Sequence, residues 1–205
     1  MLNYLFNWIA LALEVLNQSN HRIIWNLSLA LIPLIFSFWL FRPSTSRSVI
    51  WWTIFLIFVA FLPNAPYVLT DSIHLPELIS RHYPLSIILL ILIPQYILFI
   101  FIGFQAYVIA LMRLDDYLIS LHQERYLRLV NAIAHILCVV GIYLGRFERF
   151  NSWDLATQPL VVIQTTLHHL TGIWEILTMA IATCLLGGLF HLTEHLNQQI
   201  MARVR

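Results

Sequence analysis

Three side chains suited to acid–base or ligand chemistry lie close together in the run Leu62-Pro63-Asn64-Ala65-Pro66-Tyr67-Val68-Leu69-Thr70-Asp71-Ser72-Ile73-His74-Leu75-Pro76. On a helix Asp71 and His74, three apart, share a face with Tyr67, so a carboxylate, an imidazole and a phenol project together. A second run, Gly141 to Asp154, carries Arg146 and Arg149 three apart, followed by Asn151, Ser152, Trp153 and Asp154. A carboxylate and an imidazole are general acid or base candidates, and a guanidinium beside them clamps an anionic group. Arg146 sits at the end of an apolar run and needs a carboxylate partner if it is desolvated; Asp71 and Asp154 are the natural candidates. The candidate ligand-binding set is therefore Asn64, Tyr67, Asp71, His74, Arg146, Asn151, Trp153 and Asp154. The competing reading is an interfacial anchor, with the arginines snorkelling and Trp153 in an aromatic belt.

Other chemistry-bearing patterns are weaker. His191-Leu192-Thr193-Glu194-His195 has the H-x-x-E-H spacing of inverted zinc peptidases, with both imidazoles on one helical face, but little chain follows to bring a third ligand. The plainer reading is a polar helix end, and no metal is assigned. Asp115, Asp116 and Glu124 alternate with Arg113, Arg125 and Arg128 as in a solvated connector. Glu175 suits the N-terminus of a last span. Gln95, Gln105, Asn131 and His135 fall inside apolar runs, where polar groups bond between helices, and His135 is flagged as an ionisable group at depth. Cys138 and Cys184 also fall inside apolar runs and are expected to behave as small buried hydrophobes. No Walker loop, G-x-G-x-x-G, G-x-S-x-G or C-x-x-C occurs, so nucleotide and redox enzymes lose their usual support and no cofactor is assigned.

The elements that must position these residues are membrane helices. Of 205 residues 60% are hydrophobic and 10% charged, with a mean hydropathy of +0.80, where soluble domains are roughly 45–50% apolar and about 25% charged. Apolar windows that cross a core of about 30 Å run over Ile23 to Phe41, Pro84 to Met112, Leu127 to Leu144 and Gly172 to His191. Val49 to Leu62 is a short fifth, and Leu2 to Leu16 a weaker sixth that lacks the marks of a cleaved signal peptide. The fold class is all-α, a polytopic transmembrane bundle of five or six spans with a broken segment at Pro63 to Pro76, built as a single integral membrane domain over residues 1–205. All 11 basic residues are arginines and the net charge is +1, so no polybasic tract points to nucleic acid; the lipid bilayer is the expected partner, and a homo-oligomer is compatible. With six spans, seven arginines (Arg42, Arg47, Arg113, Arg125, Arg128, Arg203, Arg205) face four (Arg22, Arg81, Arg146, Arg149), which puts both termini in the cytoplasm of a cell-membrane protein and both polar runs outside. If Leu2 to Leu16 lies on the interface instead, the N-terminus moves outside and the rest keeps its orientation.

Locally, Asn64 is expected to N-cap a helix of about three turns that Pro76 ends. The preceding span offers only a strongly apolar stretch of 14 residues, about 21 Å of helix, so the Pro-Asn-Ala-Pro break falls below the membrane surface unless Ser44 to Ser48 complete the span. Gly141 and Gly145 form a small-xxx-small face for close approach of another helix. Leu155 to Leu170, with Pro159, His168 and His169, resembles an interfacial helix able to cover a site between the two polar runs.

The strings Leu62 to Leu75 and Gly141 to Asp154 resemble the two hallmark stretches of a bacterial family of multi-pass membrane proteins catalogued as domain of unknown function 1361. With the spans between them the likeness covers most of the chain. It implies several transmembrane helices and an uncharacterised role, and it brings no catalytic residue, cofactor or substrate. Three function classes follow: a protein that binds or moves a polar or lipid-like ligand at the polar cluster, a membrane-embedded enzyme using Asp71 or His74 as acid or base with Arg146 on an anionic group, and a structural or assembly subunit locked by a buried ion pair.

Overall fold

The computed structural model describes residues 2–42, 46–80 and 83–204; Ser44, Arg81 and Arg205, used in the readings above, lie outside them. In chain order the elements are α1 (Leu2–Leu40), α2 (Val49–Phe61), α3 (Asn64–Tyr67), a 3₁₀ stretch (Val68–Ile73), α4 (His74–Ile79), α5 (Leu85–Ile87), a π stretch (Ile88–Leu92), α6 (Ile93–Ser120), a 3₁₀ turn (Glu124–Tyr126), α7 (Leu127–Tyr143), a π turn (Leu144–Glu148), α8 (Asp154–Thr157), α9 (Pro159–His169) and α10 (Ile173–Val204). Among the described residues there is no strand, and five helical stretches are long and apolar enough to cross a membrane: Leu5–Leu40, Val49–Ile79, Leu85–Ser120, Glu124–Glu148 and Ile173–Arg203. Only 17% to 33% of their most apolar windows is buried inside the protein. So much outward-facing Leu, Ile and Phe needs lipid rather than water around it.

A count of six spans is not realised. Leu2 to Leu16 and all of Ile23 to Phe41 but its last residue belong to one helix of 39 residues, Leu2–Leu40, about 58 Å long. The polar run between them contains no glycine or proline to turn the chain, and its side chains find partners instead. Ser19 Oγ donates to Gln95 Oε1 at 2.8 Å, Gln95 Nε2 donates to Asn20 Oδ1 at 3.2 Å, and the Tyr83 hydroxyl donates to Gln18 Oε1 at 2.9 Å. α1 runs parallel to the helical stretch Leu85–Ser120: Trp8 Nε1 donates to Ser86 Oγ at 3.1 Å near the starts of the two, and Phe41 meets Tyr117 with ring centroids 5.7 Å apart near their ends. The π stretch before α6 precedes Pro94, whose ring and missing N–H disfavour a regular turn there.

The second span is completed at its far end rather than its near one. Ser46 to Ser48 are not helical, and Ser48 caps α2 by accepting from the Trp51 N–H. Beyond Phe61 the backbone stays in the right-handed helical region through Leu62, Pro63 and Val68, while its hydrogen bonding changes from α to 3₁₀ and back. Two expectations are corrected here. Pro63, not Asn64, holds the N-cap position of α3, and no side chain caps it. Pro76 does not end the helix, because it sits in the first turn of α4, where a missing N–H is tolerated, and α4 continues to Ile79. Cys138 is buried as expected, but Cys184 is exposed on a helix whose inward residues are Met179, Leu186 and Phe190.

Glycines let the rebuilt segment approach its neighbours. A Cβ on Gly141 would come within 2.7 Å of Pro63, one on Gly145 within 3.2 Å of the Tyr67 ring, and one on Gly103 within 2.7 Å of Val68. The small-xxx-small face of α7 therefore receives α3, and α6 receives the start of the 3₁₀ stretch.

Candidate functional site

Asp71 lies on the 3₁₀ stretch and is 3% exposed. Arg146, in the π turn that finishes the fourth span, donates from Nη2 to Asp71 Oδ1 at 2.8 Å and to the hydroxyl of Thr70. Asn26 of α1 donates from Nδ2 to Asp71 Oδ2 at 2.5 Å, so both carboxylate oxygens are engaged. The Arg146 guanidinium also stacks over the Tyr67 ring, 4.6 Å from its centroid. Of the two acids proposed for Arg146, Asp71 is the partner. Asp154 is taken up locally: its Oδ2 accepts the Asn151 N–H at 2.7 Å and its Oδ1 accepts the Thr157 hydroxyl at 3.4 Å.

The two polar runs thus meet, and a second contact joins them. Asn64 donates from Nδ2 to the Phe61 carbonyl at 2.9 Å and to Ser152 Oγ at 2.7 Å. Trp153 packs edge-on against Trp25 of α1, with centroids 6.3 Å apart. His74 stands aside from the pair; its Nδ1 is 3.7 Å from Glu77 Oε2. His169 also has another partner, Glu148 Oε1 at 2.8 Å from its Nε2, which ties the end of α9 to the π turn.

Beside the ion pair a cleft of about 650 Å³ opens between α1, α2, α3, α7 and α9. Its wall along α7 and α9 is apolar (Leu137, Val140, Leu144, Val162, Ile163, Leu167), and its polar end gathers Asn26, Asn64, Tyr67, Arg149, Asn151 and Ser152. Asn64, Tyr67 and Asn151 of the candidate set line it. Asp71, His74, Arg146, Trp153 and Asp154 do not. At the polar end Arg149 turns the chain back: φ is 60° and ψ 26°, a left-handed cap in which the N–H groups of Arg149 and Phe150 both point at the Leu144 carbonyl. That conformation usually falls to glycine. Leu155 to Leu170, read as one interfacial helix, is divided between α8 and α9, and α9 lines the cleft with Val162, Ile163, Thr166 and Leu167.

Sequence reasoning left out Asn26, Thr70 and Ser152 as partners and Arg149 as a lining residue. An asparagine inside the apolar run Ile23 to Phe41 was the available signal for Asn26.

A second set of polar groups lies farther along α6, α7 and α10. Asn131 donates from Nδ2 to Asp115 Oδ2 at 2.9 Å, Gln105 and Asn197 exchange bonds at 3.0 and 3.2 Å, and the Tyr107 hydroxyl meets His135 Nδ1 at 2.5 Å. These join neighbouring helices, as expected of Gln105, Asn131 and His135, whereas Asp115, read as part of a solvated connector, is buried on α6. His191 turns to Glu194 at 3.3 Å and His195 bonds Gln199 at 2.9 Å; among the described residues no three His, Cys, Asp or Glu side chains gather around one point.

No curated protein and no solved structure matches this chain. Residues 25–198, which carry Asn26, both members of the Asp71–Arg146 pair and every side chain lining the cleft, match the family model described as Protein of unknown function (DUF1361), and the chain belongs to that family.

Proposed function

We propose that this multi-pass protein of the cell membrane binds a lipid-like amphiphile in the cleft between α1, α3, α7 and α9, on the outer side, with its N-terminus outside and its C-terminus in the cytoplasm. The observation that carries the reading is the cleft itself. Its volume of about 650 Å³ falls in the range of roughly 300–1,000 Å³ typical of small-molecule sites, and apolar walls with a few convergent polar groups are what such sites present. The orientation rests on the arginines, seven at one end and four at the other.

The buried pair supports a different role for Asp71 and Arg146. A carboxylate with both oxygens occupied and outside the lining of the cleft suits neither proton transfer nor ligand contact, whereas it does suit a lock that holds the second span against the fourth. The enzyme reading loses Asp71 as its acid or base on this argument, and His74, which faces Glu77 outside the cleft's lining, meets no ligand there either; the structural class is kept for the pair rather than for the whole protein.

Filling the cleft tests the proposal. Ile163→Trp changes a half-exposed residue of α9 that faces the cleft, so the fold should persist. Binding of a palmitoyl lipid, followed by native mass spectrometry of the purified protein, should weaken about tenfold or more. Unchanged binding by a well-folded Ile163→Trp protein would sink the proposal.

A further inference from the structure

We infer that the ligand of this cleft carries an anionic headgroup, which the guanidinium of Arg149 receives. The inference deepens the reading above and rests on it.

Twenty-two residues line the cleft, and Arg149 is the one charged side chain among them. The acids nearby lie outside that lining and have partners of their own. Asp71 is held by Arg146 and Asn26, Glu148 by His169, and Asp154 by the Asn151 N–H and Thr157. The Arg149 side chain is exposed and makes no ion pair or hydrogen bond among the described residues. Within the lining itself Arg149 is therefore the unpaired cation, beside Asn64, Asn151 and Ser152, while most of the remaining wall accepts hydrocarbon. A guanidinium matches a carboxylate or a phosphate with paired N–H donors. The charge is also delivered at a cost. At φ 60° a residue with a β-carbon is strained where glycine is not, yet this position holds an arginine. A turn needing only to be made would be better served by glycine, so the side chain has a use that offsets the strain.

That strain supplies a clean test. Arg149→Gly removes the charge and relaxes the turn, so its melting temperature should equal or exceed that of the wild type. Arg149→Lys keeps the charge and serves as the rescue. The full chain in neutral detergent is titrated with dipalmitoylphosphatidylglycerol, palmitate, dipalmitoylphosphatidylcholine and soluble glycerol phosphate. The expected result is that phosphatidylglycerol, palmitate or both bind about tenfold to a hundredfold more tightly than phosphatidylcholine, the worth of hydrogen bonds to a charged group. That preference should vanish in Arg149→Gly, persist in Arg149→Lys, and be absent for glycerol phosphate, which lacks a chain for the apolar wall. Preference for phosphatidylglycerol alone identifies a phospholipid head, and preference for palmitate alone identifies a fatty carboxylate. Equal binding of the charged and zwitterionic lipids, both lost in Ile163→Trp, would overturn the headgroup assignment and leave the cleft reading standing. A preference that survives either Arg149→Gly or Ile163→Trp would overturn the assignment to Arg149 in the cleft. Glycerol phosphate binding as tightly as the lipids, or no binding of any probe, would overturn both readings.

Discussion

A carboxylate and a guanidinium taken out of water each cost several kcal/mol unless they meet in good geometry with hydrogen bonds to the remaining atoms. Asp71 and Arg146 satisfy most of that condition at 2.8 Å, with Asn26 on the second carboxylate oxygen and Tyr67 under the guanidinium. Breaking such a pair from one side is the costly change. Arg146→Gln should destabilise the protein by about 3 kcal/mol, the lower end for a buried pair, because its side chain keeps 19% exposure. Asp71→Asn should also lower stability, and the double variant should lose less than the sum of the two, since neither charge is then stranded. Thermal melting of the purified variants in detergent measures all three. Wild-type melting of both single variants would remove the lock. The need of Arg146 for a carboxylate was legible from its place at the end of an apolar run, whereas the choice between Asp71 and Asp154 was not. Asp154 is only three residues from Asn151 and satisfies itself within its own turn.

At the level of elements, the departure of the second span from a regular helix works through close approach. Pro63 and Pro66 remove two backbone donors from the helix, and the segment they release packs onto glycines of α6 and α7. Gly141→Ala places a methyl group 2.7 Å from the Pro63 ring. The helix gains about 1 kcal/mol of propensity, but the overpacking costs about 1–3 kcal/mol. The expected outcome is a lower melting temperature. Gly188→Ala is the control, because nothing lies within 4 Å of a Cβ there; it should melt at or slightly above wild type. The glycine spacing on α7 was readable from sequence, and so was the presence of some irregularity after Leu62. The continuation through Pro76 was not, since a proline in a first turn and a proline that ends a helix look alike until the hydrogen bonds are known.

Across the whole molecule, five helical stretches are long and apolar enough to cross a membrane; five crossings predict that the two ends of the chain lie on opposite faces, where six would put them together. Single cysteines replacing Asn3 and Gln199, in a background with Cys138→Ala and Cys184→Ala, test this in sealed vesicles with a membrane-impermeant thiol reagent. One should react from outside and the other only after permeabilisation; labelling of both from the same side would refute five crossings. The merger of the first two apolar stretches into α1 turns on Ser19, Asn20 and Gln18, whose polarity reads as a loop in isolation and whose partners, Gln95 and Tyr83, lie at least 65 residues away along the chain. Where a polar side chain finds an interhelical bond, the helix has no reason to end.

What the sequence by itself determined was the membrane class, the position of the apolar windows and the end of the bundle to which both polar runs belong. Each of these depends on properties local to about 20 residues, the length needed to cross a hydrocarbon core. Tertiary structure alone decided that Asn26 completes the Asp71 site, that His74 faces Glu77 instead, and that Arg149 rather than Arg146 looks into a cleft. Those outcomes depend on the rotational phase of each helix and on a left-handed turn at Arg149. Phase and turn geometry are set when the helices pack, because a few tens of degrees of rotation exchange the residue that is buried for the one that lines a surface.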